Sequence, residues 1–316
     1  MRRAALAMVG LLAACGGDQE PIHHDTAAIV GGEVTTGDPA VMLLVAYPPD
    51  HLTLELCTAS LVGPDLLLTA AHCVDPLTHP DHSYGLFTGH DASAYPTVNT
   101  LVPQLREVAS AELHPGYQRE APFEADIALV TLAEPLAVAP LFVRRTPLDE
   151  SVIGAPVRIV GYGAATYGEI DPRRRSATTE VVALGASDTV EIGDLEHRAC
   201  VGDSGGPALI AAAGVEMIFG VDSYSDIQGC LEPAHYRRTD VYADFLEGRV
   251  PPAPEETGGG GAGGSGEAGG AGGCADCEPA PASEDEGGCS WSGREPGSGG
   301  AWLATLLLLG LGLRRR

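Results

Sequence analysis

The sequence predicts an all-β fold followed by a long polar tail. The first half of the chain contains short apolar runs broken by turn signals, and Gly63-Pro64-Asp65 separates two of them. These runs are Val41–Ala46, Ser60–Val62 and Leu66–Thr69. From Pro251 to Gly300 the composition changes to Pro, Gly, Ser and acidic residues, which cannot bury a core. We therefore expect strands upstream and a disordered, flexible stalk over residues 251–300.

Length and charge narrow the classes of protein to which the chain can belong. Its 316 residues are enough for one or two domains with a buried core. The formal net charge of −25 argues against nucleic acid or an anionic membrane surface as a partner. All 18 basic residues are arginine, a bias from which no chemistry follows.

The N-terminus is typical of an export signal. Arg2-Arg3 precedes the apolar run Ala4–Ala14, which is too short to span a bilayer as a helix. The run ends Leu12-Ala13-Ala14-Cys15, which resembles the lipobox of bacterial lipoproteins, a family in which the cysteine is acylated. An ordinary signal peptide that contains a cysteine is the alternative. In either case residues 1–15 direct export, so disulfides are expected in the mature protein.

A glycine-rich segment around Ser204 is the strongest candidate for a catalytic site. It runs Ala199-Cys200-Val201-Gly202-Asp203-Ser204-Gly205-Gly206-Pro207. Glycine permits backbone conformations that other residues avoid, so the amides of Gly202 and Ser204 are expected to converge on one point as an oxyanion hole. Ser204 would then be the nucleophile. A glycine-rich surface turn with an exposed serine is the alternative.

Two further segments supply a base and an acid. Leu68-Thr69-Ala70-Ala71-His72-Cys73 sets one of the ten histidines beside a cysteine. In Glu124-Ala125-Asp126-Ile127-Ala128-Leu129-Val130 a carboxylate enters an apolar run, as a buried orienting acid would. Asp126 would accept from the histidine Nδ1–H and leave Nε2 facing the serine. The chain order His, Asp, Ser is the chymotrypsin order.

Together with Ile29-Val30-Gly31-Gly32, these segments resemble the trypsin/chymotrypsin-like serine proteases, from Ile29 to about Val250. The resemblance implies two antiparallel six-stranded β-barrels, over about residues 29–140 and 150–250, with the active site in the cleft between them. It implies the triad His72, Asp126 and Ser204, the oxyanion hole Gly202 and Ser204, and the disulfides Cys57–Cys73 and Cys200–Cys230.

The same resemblance implies activation by cleavage before Ile29. Residues 16–28 would be a propeptide, and the new ammonium of Ile29 would pair with Asp203. A buried carboxylate is costly unless paired, so this pairing would order the oxyanion loop. The residue before the cut is Ala28 rather than Arg or Lys, so trypsin-like activation is not expected.

Substrate specificity is implied less sharply. By the resemblance Ser223 bonds Asp126, Tyr224 walls the second subsite, and Ser225 and Ala234 are small walls of the first. The floor of that first subsite is Arg198, where trypsin-like enzymes carry aspartate, so preference for Lys or Arg is not supported. Arg198 favours an acidic P1 side chain. If Asp222 neutralises Arg198, small P1 residues are favoured instead.

A surface loop is expected between the strands of the second half. Residues Ala164–Ser176 are predicted to form it, and its run Arg173-Arg174-Arg175 is interpreted as a solvated face or a nicking site.

The C-terminal end resembles a sorting tail. Cys274-Ala275-Asp276-Cys277 predicts a local bridge, with a zinc half-site or redox motif as alternatives. Cys289, the apolar run Ala301–Leu313 and Arg314-Arg315-Arg316 follow, and they resemble the MYXO-CTERM type of tail for surface display. A plain tail anchor over residues 301–316 is the alternative.

The sequence thus predicts an exported, surface-tethered serine endopeptidase that acts on proteins or peptides as a monomer. It needs an activating protease unless it processes itself, and no cofactor is expected. No metal site stands out, so insensitivity to chelators is expected. A catalytically silent homologue used as a binding module, or an esterase on the same site, remains open.

Overall fold

The computed structural model describes residues 29–50, 53–120, 122–163, 171–185, 187–212, 214–225, 230–251 and 253. The signal and propeptide, the stalk and the tail lie outside the described residues, as do Cys15, Cys274, Cys277 and Cys289.

In these residues the regular secondary structure is mostly β-strand. The strands are β1 (Glu33–Val34), β2 (Val41–Tyr47), β3 (Glu55–Leu61), β4 (Leu66–Thr69), β5 (Ser83–Phe87), β6 (Arg106–Leu113), β7 (Ala128–Leu132), β8 (Phe142–Val143), β9 (Pro156–Gly161), β10 (Arg175–Leu184), β11 (Thr189–Ile192), β12 (Pro207–Ala212), β13 (Val215–Tyr224) and β14 (Ala234–Arg238). The helices are α1 (Val98–Leu101) and α2 (Ala243–Leu246), with 3₁₀ turns at Ala71–Val74, Val102–Gln104 and Glu150–Val152. Within the described ranges, none of these helices has the length and apolarity needed to cross a bilayer.

The first six-stranded barrel closes in the order β2-β3-β4-β7-β6-β5. Its interior is apolar and includes Met42, Leu44, Leu61, Leu67 and Val130. The predicted runs correspond to β2, to β4 and to the end of β3. The start of β3 was not predicted, because polar residues alternate with apolar ones there and its first three residues are exposed or only partly buried.

The second barrel closes in the order β9-β10-β11-β14-β13-β12, with β12 pairing back to β9. All of these pairings are antiparallel. The prediction of two antiparallel six-stranded barrels is confirmed.

The first residues of the described chain lie with the second barrel rather than the first. β1 pairs with β10, and the Val30 amide donates to the carbonyl of Arg198 at 2.9 Å. Ile29 packs in the core of the second barrel. The N-terminal segment therefore crosses the molecule to the half that carries Ser204.

The interpretation of the arginine run as a solvated face is wrong for Arg174 and Arg175, whereas the Arg173 side chain is 40% exposed. Arg174 and Arg175 are only 3% and 4% exposed. β10 already begins at Arg175, the Arg174 guanidinium donates to the carbonyl of Val41 at 2.9 Å, and Arg175 pairs with Asp171. The three consecutive arginines in the sequence do not indicate that Val41 and Asp171 are their partners. Residues 164–170 of the predicted loop lie outside the described ranges.

Candidate active site

His72 lies in the 3₁₀ turn that follows β4. The neighbouring Cys73 forms a disulfide with Cys57 of β3, and both predicted disulfides are present, the other joining Cys200 and Cys230. The turn that carries His72 is therefore linked to β3 by the disulfide, in addition to its chain connection to β4.

Asp126 is fully buried just before β7 and accepts three hydrogen bonds. Its Oδ2 accepts from His72 Nδ1 at 2.7 Å and from the Ser223 hydroxyl at 2.6 Å, and its Oδ1 accepts from the His72 amide at 2.8 Å. A carboxylate partner holds the proton of the imidazole on Nδ1. Nε2 of His72 is thus left as an acceptor.

Ser204 belongs to the second barrel but lies against the first. Its carbonyl accepts from the Thr58 amide of β3 at 2.8 Å. The next residue, Gly205, has φ +82, and a Cβ there would lie 2.1 Å from the Thr69 hydroxyl and 2.3 Å from the Thr58 carbonyl. Only glycine permits the loop to approach the first barrel this closely.

A cleft of about 500 Å³ brings the two halves together. His72, Gly202, Ser204 and Ser223 all line it. In the part of the chain that the structure describes, the Ser204 hydroxyl makes no hydrogen bond to His72 in this resting arrangement. Such catalytic hydrogen bonds commonly tighten only when substrate binds.

Gly202 and Ser204, the predicted oxyanion-hole residues, both line this cleft. Gly202 has φ +95, and its carbonyl is held by the Thr58 hydroxyl at 3.1 Å. Within the described ranges, neither the Gly202 nor the Ser204 amide donates to a backbone carbonyl. Two unpaired amides beside a serine can stabilise a developing oxyanion.

Asp203 points away from the cleft into the interior. Its carboxylate accepts from the amides of Gly163 at 2.8 Å and Cys200 at 2.9 Å, and also from the Ile29 amide. Burial raises the pKa of Asp203 to about 6, although these hydrogen bonds act to lower it. A Cβ at Gly163 would lie 2.5 Å from the carboxylate, so glycine is required there too.

Arg198, the predicted floor residue, is buried without a carboxylate at ion-pair distance among the described residues. Its guanidinium donates to the carbonyls of Leu195 at 2.6 Å, Asp194 at 3.3 Å, and Cys230. Burial lowers the pKa of Arg198, against the opposing charge of Asp194. The hypothesis that Asp222 neutralises Arg198 is wrong, because the two side chains do not form an ion pair. The Asp222 side chain is buried, and its Oδ1 has no hydrogen-bond partner among the described residues.

The other predicted substrate residues occupy the same barrel. Tyr224 stacks on His235 with ring centroids 4.4 Å apart. Ser225 is half-buried, and Ala234 is fully buried at the start of β14, paired with Ile192. Ser223, the fourth, bonds Asp126 as described above. Residues 226–229, which follow Ser225, lie outside the described ranges.

Sequence reasoning missed a buried cation behind the site. Arg237 donates to Asp188 at 2.8 Å and, through Nε, to the Ser223 hydroxyl at 3.3 Å. Asp188 also accepts from the Tyr242 hydroxyl. The sequence of β14, with two arginines in five residues, gives no sign that Arg237 is buried, and it does not identify partners that are distant in sequence.

Comparison with known proteins adds an independent line to this geometry. Chymotrypsin-C of Rattus norvegicus is 23% identical over 77% of this chain and 96% of its own length. The trypsin of Saccharopolyspora erythraea is 24% identical over 69% of this chain and 96% of its own length. The ovochymase of Halocynthia roretzi is 24% identical over 73% of this chain, which spans only 16% of that protein. The family model described as Trypsin matches residues 29–246, so this chain, with its two barrels and its Ser-lined cleft, belongs to the trypsin family of serine proteases.

Proposed function

We propose that this chain hydrolyses peptide bonds with His72, Asp126 and Ser204 as its catalytic triad. The observation that carries the proposal is the buried Asp126 carboxylate, which orients His72 at 2.7 Å in the cleft that Ser204 also lines. Nε2 of His72 takes the Ser204 proton as Oγ attacks the substrate carbonyl carbon. The amides of Gly202 and Ser204 bind the oxyanion, and the protonated imidazole gives its proton to the leaving amine.

Hydrolysis of the acyl-enzyme reuses the same groups. The imidazole of His72 takes a proton from water, the hydroxide attacks the ester carbonyl, and Ser204 leaves with the proton returned. The bonds that Asp126 accepts from Ser223 and His72 hold the imidazole in one orientation through both steps.

Labelling with a fluorophosphonate tests the nucleophile. We expect the cleaved protein to be labelled at one site and Ser204→Ala to abolish the label, whereas the exposed Ser83→Ala keeps it. A label that survives Ser204→Ala contradicts the assignment. An unlabelled parent favours the silent binding module, and ester turnover without peptide turnover favours the esterase.

Activation before Ile29 is the second part of the proposal. Ile29 is only 1% exposed, and its amide already reaches Asp203. Its φ of +48 is strained for a β-branched residue, and a free N-terminus would remove that constraint. We expect the N-terminus of the active form to map to Ile29, produced by another protease or by the enzyme itself. A fully active form that starts upstream would rule this out.

An acidic P1 residue is the proposed preference, because the small-residue alternative depended on neutralisation of Arg198 by Asp222. It is supported by Arg198, whose buried guanidinium donates, among the described residues, only to main-chain carbonyls. A peptide library varied at P1 tests it: cleavage after Asp or Glu should fall in Arg198→Ser. Strong cleavage after Arg would refute the preference.

We further propose export of a monomer and tethering at the cell surface, through Cys15 before activation and through the tail with Cys289 afterwards. Support comes from the sequence alone, because both ends lie outside the described residues. Fractionation of cells that carry Cys289→Ala tests the tail, and unchanged surface retention would count against it.

A further inference from the structure

Three potential metal ligands converge at the rim of the cleft. Glu55 stands at the start of β3, and His79 and His82 lie between the 3₁₀ turn of His72 and β5. His79 Nδ1 is 3.0 Å from Glu55 Oε2, and His82 Nε2 is 4.0 Å from Glu55 Oε1. One ligand atom from each residue lies within 4.8 Å of the other two.

The outer nitrogen of each imidazole is held by a backbone carbonyl. His79 Nε2 donates to the carbonyl of His72 at 3.1 Å, and His82 Nδ1 donates to that of Pro80 at 3.0 Å. These bonds leave the lone pairs of the neutral rings on the two nitrogens that face Glu55. Histidines that bind metals commonly have the other N–H fixed in this way.

The inner nitrogen of His79 lacks a hydrogen bond. The side chain is only 7% exposed, and Nδ1 has no hydrogen-bond partner among the described residues, although Glu55 Oε2 lies 3.0 Å away. A buried polar atom without a partner is costly. A cation between the three side chains would satisfy it.

We propose that Glu55, His79 and His82 form a Zn²⁺ site. Zinc holds imidazole nitrogen and carboxylate oxygen at about 2.0–2.2 Å, so its tetrahedral ligand atoms lie about 3.3 Å apart. The present spacings bracket that value, and the half-exposed Glu55 is free to close the gap. Ca²⁺ and Mg²⁺ prefer oxygen ligands, whereas imidazole suits zinc. Water would fill the fourth position.

The proposed zinc site is coupled to the catalytic cleft. Glu55 and His79 line the same cleft as Ser204, and His79 is bonded to the carbonyl of His72 itself. Bound zinc therefore occupies part of the cleft wall and slows peptide hydrolysis, whereas the metal-free enzyme is active. This regulatory consequence, unlike zinc binding, rests on the proposed function.

Calorimetric titration with ZnCl₂ tests binding without any reading of activity. The full chain carries Ser204→Ala, and Cys15, Cys274, Cys277 and Cys289 are replaced by serine to remove competing thiols. We expect about one zinc per chain, and affinity at least about 100-fold weaker in Glu55→Gln and His79→Gln. The exposed His90→Gln is the matched control and should bind like the parent.

The proposed site would be overturned if the parent did not bind zinc, or if Glu55→Gln, His79→Gln and His90→Gln all bound it as tightly as the parent. Glu55→Gln alters an exposed side chain and guards against loss by misfolding, which thermal melting checks. In a second arm Ser204 is kept, and zinc should inhibit the cleaved parent and His90→Gln, each relative to its own metal-free rate, but not Glu55→Gln. Zinc that binds without inhibiting would overturn the regulatory consequence alone.

Discussion

At the scale of single residues, a chain of buried polar side chains fixes the position of the Asp126 carboxylate. Ser223 donates to Asp126 and accepts from Arg237, which in turn pairs with Asp188. Burial acts to raise the pKa of Asp188, but the Tyr242 hydroxyl and the charge of Arg237 outweigh it, and the pKa is lowered. A fixed cation therefore lies one hydroxyl away from Asp126.

Replacing Arg237 by Met should destabilise the fold strongly. Asp188 would remain buried without its cation, and breaking one partner of a buried pair costs about 3–5 kcal/mol. The double variant Arg237→Met/Asp188→Leu should recover much of this loss. Urea unfolding measures the free energy of unfolding of both variants. Arg249→Gln, which removes the exposed ion pair with Glu112, is the control and should change it by no more than about 1 kcal/mol. Equal stability of Arg237→Met and the parent would contradict the coupling.

Asp222 is another buried carboxyl group, and among the described residues no cation lies within ion-pair distance of it. Its backbone pairs with the nucleophile loop, donating to Gly206 and accepting from Gly205 at 2.8 and 2.7 Å. Burial, together with the charges of Asp203 and Asp126, raises the pKa of Asp222 well above its ordinary value. Its folded pKa exceeds its unfolded pKa, so its contribution to stability is complete below about pH 4 and is lost as the pH rises.

Asp222→Val should therefore stabilise the protein. Removing an unsatisfied buried carboxyl should increase the free energy of unfolding by about 1–3 kcal/mol at pH 7, with a smaller gain at pH 4. Asp222→Asn should flatten the pH dependence but keep the unsatisfied polar group. Guanidinium unfolding at both pH values measures this, and a destabilised Asp222→Val at pH 7 would contradict it.

At the scale of elements, the segment from Ile29 to β1 determines the environment of Asp203. In the uncleaved chain burial raises the pKa of Asp203 to about 6, from an ordinary 3.8. The folded state then holds the proton more tightly than the unfolded state. The stability contributed by this group is thus complete below about pH 4 and is lost as the pH rises through about 6.

Cleavage before Ile29 should abolish this loss, because an ammonium replaces the amide beside the carboxylate. About two pKa units correspond to about 3 kcal/mol. Between pH 4 and 7 the uncleaved Ser204→Ala protein should lose about that much stability relative to the form that begins at Ile29. Urea unfolding across this range measures the difference, which should vanish in Asp203→Asn. Parallel pH profiles of the two forms without that substitution would refute the pairing.

How far the sequence predicted the structure depends on whether the determining contacts are local. β2 and β4 were predicted because apolar residues and a neighbouring turn define a strand on their own. His72 and Ser204 stand in short motifs whose chemistry requires those residue types. Arg174, Arg237 and His79 were missed, because burial of a polar side chain depends on partners supplied by other elements.

At the scale of the whole molecule, the cleft depends on how the two barrels pack. His72 and Asp126 belong to the first barrel, and Ser204 belongs to the second. The barrels share one apolar cluster, in which Leu68, Ile127 and Leu129 of the first half meet residues of the second. The residues from the second half include Val160, Leu209, Ile218 and Val221. We therefore expect the two barrels to unfold as one unit.

Ile218→Ala tests this cooperativity. Ile218 is fully buried in the shared cluster, so the substitution should cost about 2–5 kcal/mol, whereas Leu195→Ala, at a site 87% exposed, should change stability by about 0.5 kcal/mol or less. Amide exchange should show β2 and β13 losing protection together, although only β13 carries the change. Loss confined to β13 would mean that the barrels open separately. Each barrel supplies part of the triad. When amide exchange and peptidase activity are measured in increasing denaturant, activity should therefore disappear at the concentration at which both barrels lose protection.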